Sequence, residues 1–239
     1  MDTATQLPHP APEAEEIYRR WLQYLDDEFN RHRSAERRAE IVREQLYQLY
    51  LGRPHGGALP TATLTSELPV TVLELSLDPN NVTLAAESYP EIDRARFAER
   101  KPLIWFWKMF DRSAVGLNLW LGWRFRAMLA RHIFASAGRG IRLSEGIELT
   151  YGYNLSVGDG AGIRQGALLN DRGGITIGGG AVIGSYARVY SHVHDPANYD
   201  KVRLTQTAIG AGARIASHAI VLAGQQVGAG EVVGSFPVE

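Results

Sequence analysis

The chain has 239 residues, 45% apolar and 21% charged, with a formal net charge of −1. That is room for one sizeable domain with an appendage or for two small ones, and the charge balance lacks the basic footprint of a nucleic-acid binder. Cysteine is absent, which excludes disulfides, thiolate nucleophiles and cysteine metal sites.

Residues 1–13 are polar and proline-rich and read as a disordered leader. They have neither the basic start nor the apolar run of a signal peptide. No stretch reaches the roughly 20 apolar residues needed to span a bilayer, so a cytoplasmic protein is expected. Residues 14–134 read as an α-rich region. Ile17, Trp21, Tyr24, Leu25 and Phe29 recur at helical spacing, as do Ile41, Val42, Leu46 and Leu49. These predict two amphipathic helices, or one that breaks near Ser34. The stretch "PVTVLELSL" alternates like a strand. "DPNN" at 78–81 has turn composition and "VTLAAE" suits a return strand, which together predict a small β-hairpin.

From Trp105 to Phe134 the chain is aromatic and basic. Leu119, Trp123, Phe125 and Leu129 predict a helix face packed across the end or side of the next domain. The second reading is an interfacial helix in peripheral contact with a membrane, its tryptophans in the headgroup layer and its arginines beside anionic lipid.

Residues 135–239 carry a different period. Val157, Ile163, Leu169 and Ile175 stand six apart, as do Ile177, Ile183 and Val189, and again Ile209, Ile215, Val221, Val227 and Val233. A hexad supplies a short strand and a turn, and three hexads complete a triangular coil. The aliphatic residue points inward and stacks on its equivalents, with strands about 4.8 Å apart. One coil cannot bury its inner face alone, so several must stack. The predicted fold class is therefore mainly β, a parallel β-helix with a mostly helical N-terminal extension. Between Val189 and Ile209 the rows break for twenty residues. There the chain must leave the prism as a loop that begins "YSHVHDPANYD", and such excursions are where regular scaffolds place function.

The stretch "LLNDRGGITIGGGAVIGSYARVYSHVHDP" and the final "TAIGAGARIASHAIVLAGQQVGAGEVVGS" resemble the left-handed parallel β-helix of the hexapeptide-repeat acyltransferases. The likeness is to the branch with maltose, galactoside and nodulation-factor O-acetyltransferases, and it covers about two-fifths of the chain. The resemblance implies transfer of an acetyl or other short acyl group from acyl-CoA to a hydroxyl of a saccharide-type acceptor, in a homotrimer, with no metal. It places the general base at His194, four residues after Tyr190, with His192 as the competitor. Imidazole suits the task because it exchanges protons near neutrality. The resemblance also gives acceptor-site roles to Asp171 and Tyr190. The coenzyme arm and an oxyanion donor fall near Arg214, Ala216 and Ser217. The sequence departs from the pattern in four places. "RQG" at 164–166 replaces the usual asparagine window, Arg214 replaces a tryptophan, "LTQ" at 204–206 replaces a Gly-Lys-Pro, and the chain stops at "GSFPVE" before the expected tail, as a C-terminal truncation would.

Two other functional readings remain open at this point. His192, His194 and His218 could hold a metal, as three histidines do in a carbonic anhydrase class built on the same prism, although Ala223 stands where that class has a further histidine. The β-helix could also persist as a non-catalytic scaffold. Asp195, followed by Pro196, reads as a cap for the loop's turn.

Overall fold

The computed structural model describes residues 9–235, with Tyr199 and Asp200 in backbone only. The first eight residues of the expected leader lie outside the described residues, and its last two already belong to a helix. Five α-helices come first: α1 (Pro12–Arg31), α2 (Ala35–Leu51), α3 (Leu68–Ser76), α4 (Arg94–Arg112) and α5 (Leu119–Ile133). Ser34 separates α1 from α2 by capping the second, its hydroxyl accepting from Arg37 N at 3.3 Å. Asp93 and Asn118 cap α4 and α5 in the same way.

The hairpin expected over 69–87 does not form. Its first half is α3, and short 3-10 turns at Pro79–Asn81 and Ala85–Ser88 replace the turn and the return strand. The alternation in "PVTVLELSL" is a strand signal, but tertiary partners outweigh it. Pro69 sits in the first turn, where a missing N–H costs nothing. The carbonyls of the last turn are taken by side chains from elsewhere, with Tyr47 Oη, Trp105 Nε1 and Asn81 Nδ2 donating to Glu74, Ser76 and Leu75.

Most of the aromatic rings of 105–134 belong to the core. Phe106, Trp107, Phe110, Trp120, Phe125 and Leu129 are all buried, and Phe110 stacks on Phe125 at 3.8 Å. These rings are not available to lipid, while Val115, Leu117 and Leu119 of the same segment remain exposed. Among the described residues no helix is long and apolar enough to cross a membrane.

The chain then winds into a parallel β-helix of about five coils. Its first face stacks β1 (Ser136–Ala137), β4 (Leu155–Val157), β7 (Ile175–Ile177), β12 (Thr207–Ile209) and β15 (Gln226–Val227). The second stacks β2 (Arg142–Leu143), β5 (Gly162–Ile163), β8 (Val182–Ile183), β13 (Arg214–Ile215) and β16 (Val232–Val233). The third stacks β3 (Glu148–Leu149), β6 (Leu168–Asn170), β9 (Arg188–Tyr190) and β14 (Ile220–Val221). The remaining strands, β10 (His192–Asp195) and β11 (Asn198–Leu204), form an antiparallel hairpin outside the prism. Leu143, Val157, Ile163, Leu169, Ile177, Ile183 and Val189 fill the axis.

The coil length corrects the simple hexad count. Leu143 pairs with Ile163, Leu149 with Leu169 and Val157 with Ile177, so these coils take 20 residues. Ile209 pairs with Val227 and Ile215 with Val233, a coil of 18. Two extra residues sit on one edge, where each early coil returns from the third face to the first; this is called the return edge below. The shift by two between the sequence rows is this enlarged corner. Across the hairpin Ile177 pairs with Ile209 and Val189 with Val221, 32 residues on, so the excursion adds twelve to a 20-residue coil.

The helices cover the first coils. Arg126, 1% exposed, pairs with Asp111 and donates to the carbonyls of Gly116 and Leu143, while Asp111 accepts from Gly146 N. A buried charge of this kind is tolerable only with its donors filled, and here filling them joins α4 and α5 to the second face.

Candidate functional site

The return edge is built on a column of fully buried polar side chains. An enlarged corner turns backbone N–H groups inward, where they need acceptors. Asp171 supplies them for the corner below it: Oδ1 accepts from Thr150 N at 3.1 Å and Tyr151 N at 2.8 Å, and Oδ2 from Asn154 N at 3.3 Å. Ser191 comes next, accepting from Gly173 N at 2.9 Å and donating to Asn170 O at 2.6 Å. Thr207 accepts from Gly224 N and donates to Tyr190 O. All three are 0% exposed. The acceptor-orienting role expected of Asp171 does not fit this geometry, because both its oxygens are spent on backbone and neither reaches solvent. Burial pushes its carboxyl up to about 6, against the backbone donors that pull it down.

The hairpin leaves this edge immediately above Ser191. Its ends are pinched together, with Thr205 N donating to Ser191 O at 3.0 Å. Gly173 lies so close beneath that a Cβ there would stand 2.1 Å from Ser191 O. Only a glycine allows the approach. The strands pair His192 with Leu204 and His194 with Val202, with a bulge after His194, and Asp195 Oδ1 accepts from Ala197 N at 2.8 Å to cap the turn. This last contact is the capping role read from the Asp-Pro pair.

His192 and His194 fall on one face of their strand, rings edge to face with centroids 5.1 Å apart, and Tyr190 lies 6.2 Å from His192 on its other side. The Nδ1 of His192 is buried and has no hydrogen-bond partner. Burial lowers the basicity of this imidazole, and the positive charge of Arg172 and the neighbouring His194 lower it further, with Glu91 opposing.

Beneath the histidines lies a cluster that sequence reasoning missed. Arg172, 4% exposed, pairs through Nε with Glu91 and lays its guanidinium over Tyr89, 4.0 Å from the ring centroid. Tyr151 Oη donates to the same Glu91 oxygen at 3.0 Å. Burial raises the Glu91 carboxyl, but Arg172, a backbone N–H and Tyr151 together leave it lowered. The Tyr151 hydroxyl is pushed well up by burial and by its bond to Glu91. Arg172 adjoins Asp171 in sequence, and that adjacency is the one signal that could have raised it. Glu91 lies 81 residues away and leaves no local trace.

The residues expected near the coenzyme lie elsewhere on the prism. Arg214 is exposed in β13, Ala216 is buried and Ser217 exposed at the next corner, where coils pass from the second face to the third. This middle edge is separated from the hairpin by the width of the third face, so one chain does not bring the two groups together. Ala216 N–H donates to Val233 O at 2.8 Å as part of coil stacking, which removes it as an oxyanion donor. His218 also sits on the middle edge, its ring stacked on Tyr186 at 5.3 Å. A single chain therefore does not gather His192, His194 and His218 around one point, and among the described residues no cluster of three metal-ligating side chains occurs.

The sequence matches no protein-family model and no curated protein. Solved structures do resemble it. A hexapeptide-repeat-containing acetyltransferase from Vibrio cholerae is 17% identical with a TM-score of 0.46, over 65% of this chain and 90% of that one. A maltose O-acetyltransferase from Clostridium difficile 630 is 20% identical, TM-score 0.40, over 61% and 80%. A single-residue mutant of AntD, an N-acyltransferase from Bacillus cereus in complex with dTDP-4-amino-4,6-dideoxyglucose and coenzyme A, is 18% identical, TM-score 0.29, over 45% and 76%. At these identities and scores the likeness assigns neither an activity nor a residue to this chain.

Proposed function

We propose that the protein is an acyl-CoA-dependent O-acyltransferase that moves an acetyl or other short acyl group to a hydroxyl of a saccharide-type acceptor, with His194 as general base. The observation that carries the reading is the histidine pair on a hairpin that leaves a parallel β-helix at its one large interruption, over a buried ion pair. In the reaction the acceptor oxygen attacks the thioester carbonyl carbon while His194 takes its proton. The C–S bond then breaks and the proton passes to the departing thiolate. No covalent enzyme intermediate is required, in keeping with a chain that has no cysteine. His192, its basicity lowered by burial and by Arg172, lies between Tyr190 and His194 beside the base.

Arg214 and Ser217 sit on a different edge from the hairpin, so the reading also takes the protein to be a homotrimer with acyl-CoA between adjacent prisms, the hairpin of one facing the middle edge of the next. Ile220 and Val232, on the two faces that meet at the middle edge, are more than half exposed, which supports a covered surface. The reading places the enzyme in the cytoplasm, where acyl-CoA is available.

His194→Ala is expected to lower turnover about 10²–10⁴-fold with assembly and melting temperature unchanged. The measurement is thiol release from acetyl-CoA in the presence of acceptor, alongside light scattering for subunit number. If His192→Ala carries the loss instead, the base is the inner histidine. Full activity in both variants would remove both histidines as the base, and no thiol release by the parent protein would leave the scaffold reading standing.

A further inference from the structure

A cavity of ≈ 360 Å³ lies between the helical region and the outer side of the third face, within the size range of small-molecule sites. One wall is helical, formed by Leu84, Ala86, Tyr89 and Ile104, and the other is Leu149, Leu168 and Asn170 on the prism. The Lys108–Glu148 ion pair stands beside them. The lining is mostly apolar with one unfilled polar group: the side-chain oxygen Oδ1 of Asn170 is buried and has no hydrogen-bond partner. Leaving such an acceptor unmet costs about 1–3 kcal/mol, so its presence in the wall needs an explanation.

Position connects the cavity to the histidines. Asn170 pairs in register with Tyr190 on the adjacent strand, so both side chains leave the same outer face. Tyr190 is the ring that adjoins His192. Tyr89, in the cavity wall, carries the Arg172 guanidinium that lies under the hairpin.

We infer that this cavity is the acceptor site, and that it takes a compound with an apolar body whose hydroxyl donates to Asn170 Oδ1. The inference rests on the transferase reading for its chemistry, but its binding claim stands by itself. The helical region then walls a substrate pocket, in addition to covering the first coils. The apolar lining favours a glycoside with a hydrocarbon aglycone over a free sugar.

The test uses the full chain with hexyl β-glucoside and glucose as probes, measured by calorimetric titration without coenzyme and then as acceptors with acetyl-CoA. Hexyl glucoside is expected to bind at least tenfold more tightly than glucose. Asn170→Leu should weaken it about tenfold, the equivalent of one hydrogen bond, without lowering the melting temperature, since the variant removes an unmet acceptor. Leu168→Trp should abolish binding by filling the space. Failure of hexyl glucoside to bind, equal binding of the two probes, or unchanged binding in both variants would overturn the inference. A melting temperature lowered by Asn170→Leu would show that the side chain is structural and count against it. Binding lost as expected, with no acyl transfer from acetyl-CoA or butyryl-CoA, keeps the pocket and removes the transferase. Transfer with an unchanged acceptor KM in both variants does the reverse.

Discussion

Two edges of the same prism solve the same problem differently. The middle edge turns in tight corners whose third residue has positive φ: Gly146 at 73°, Gly166 at 66°, then Tyr186 at 59° and His218 at 62°. The return edge is two residues longer in the early coils; it also uses the left-handed region, at Gly152 (73°) and Gly174 (98°), and must in addition provide for inward-facing N–H groups. Asp171, Ser191 and Thr207 do so. Both edges therefore use left-handed backbone, but the middle edge places Tyr186 and His218 there where the return edge keeps glycine, and the return edge adds buried polarity. Buried polarity is specific to position, and it is the edge from which a functional hairpin can grow, because acceptors for the corner are already present. Tyr186 and His218 mark the other kind of exception, since a bulky residue in the left-handed region costs about 1–2 kcal/mol. A Cβ on Gly166 would stand 2.4 Å from the Tyr186 ring, which lies across it.

The comparison can be broken most sharply at Asp171. Asp171→Ala leaves three buried N–H groups without acceptors and is expected to cost about 3–5 kcal/mol in chemical denaturation. A loss under about 1 kcal/mol would mean that the corner rearranges or that the carboxylate does something other than hold it. A smaller effect separates charge from hydrogen bonding. The Asp171 carboxyl is raised to about 6 in the fold from an ordinary value of 3.8, so the folded state holds the proton more tightly than the unfolded chain. Its contribution is full below about pH 4 and is lost as pH rises through about 6. Melting temperatures of the parent measured against Asp171→Asn, which does not titrate, should show the parent losing ground across that window. An opposite slope would show that the backbone donors outweigh burial. The smallest expected effect lies on the other edge. Tyr186→Gly should raise stability by about 1 kcal/mol or less, strain relief offset by the stacking lost with His218. A clear destabilisation would mean that the aromatic pair itself holds the edge.

Much of this was readable in the residues and some was not, for reasons that follow from distance along the chain. The inward rows from Val157 to Val233 are local and repetitive, so the stacking of the coils follows from them directly. The hairpin's place follows from the gap at 189–209. The enlarged corners were visible only as a phase shift, because two additional residues leave no hydrophobic mark. Asp171 was located but its partners were not: its acceptor role depends on amides about 20 positions back, and amides have no sequence signature. Glu91 and Arg172 are further apart still, and their pairing is a property of how the helical region docks. In α3 the alternation of Val70, Val72 and Glu74 pointed to a strand, and the side chains of Tyr47, Trp105 and Asn81 decided otherwise.

The pinch beneath the hairpin has an evolutionary consequence. Ile175 pairs with Thr207 and Ile177 with Ile209 as though no residues intervened, and Thr205 N closes onto Ser191 O across the neck. The coil is therefore indifferent to what is spliced in above that closure. The segment 192–204 can change length, composition or chemistry while the scaffold's stability is set underneath it. Diversification can proceed at this one insertion point without renegotiating the fold.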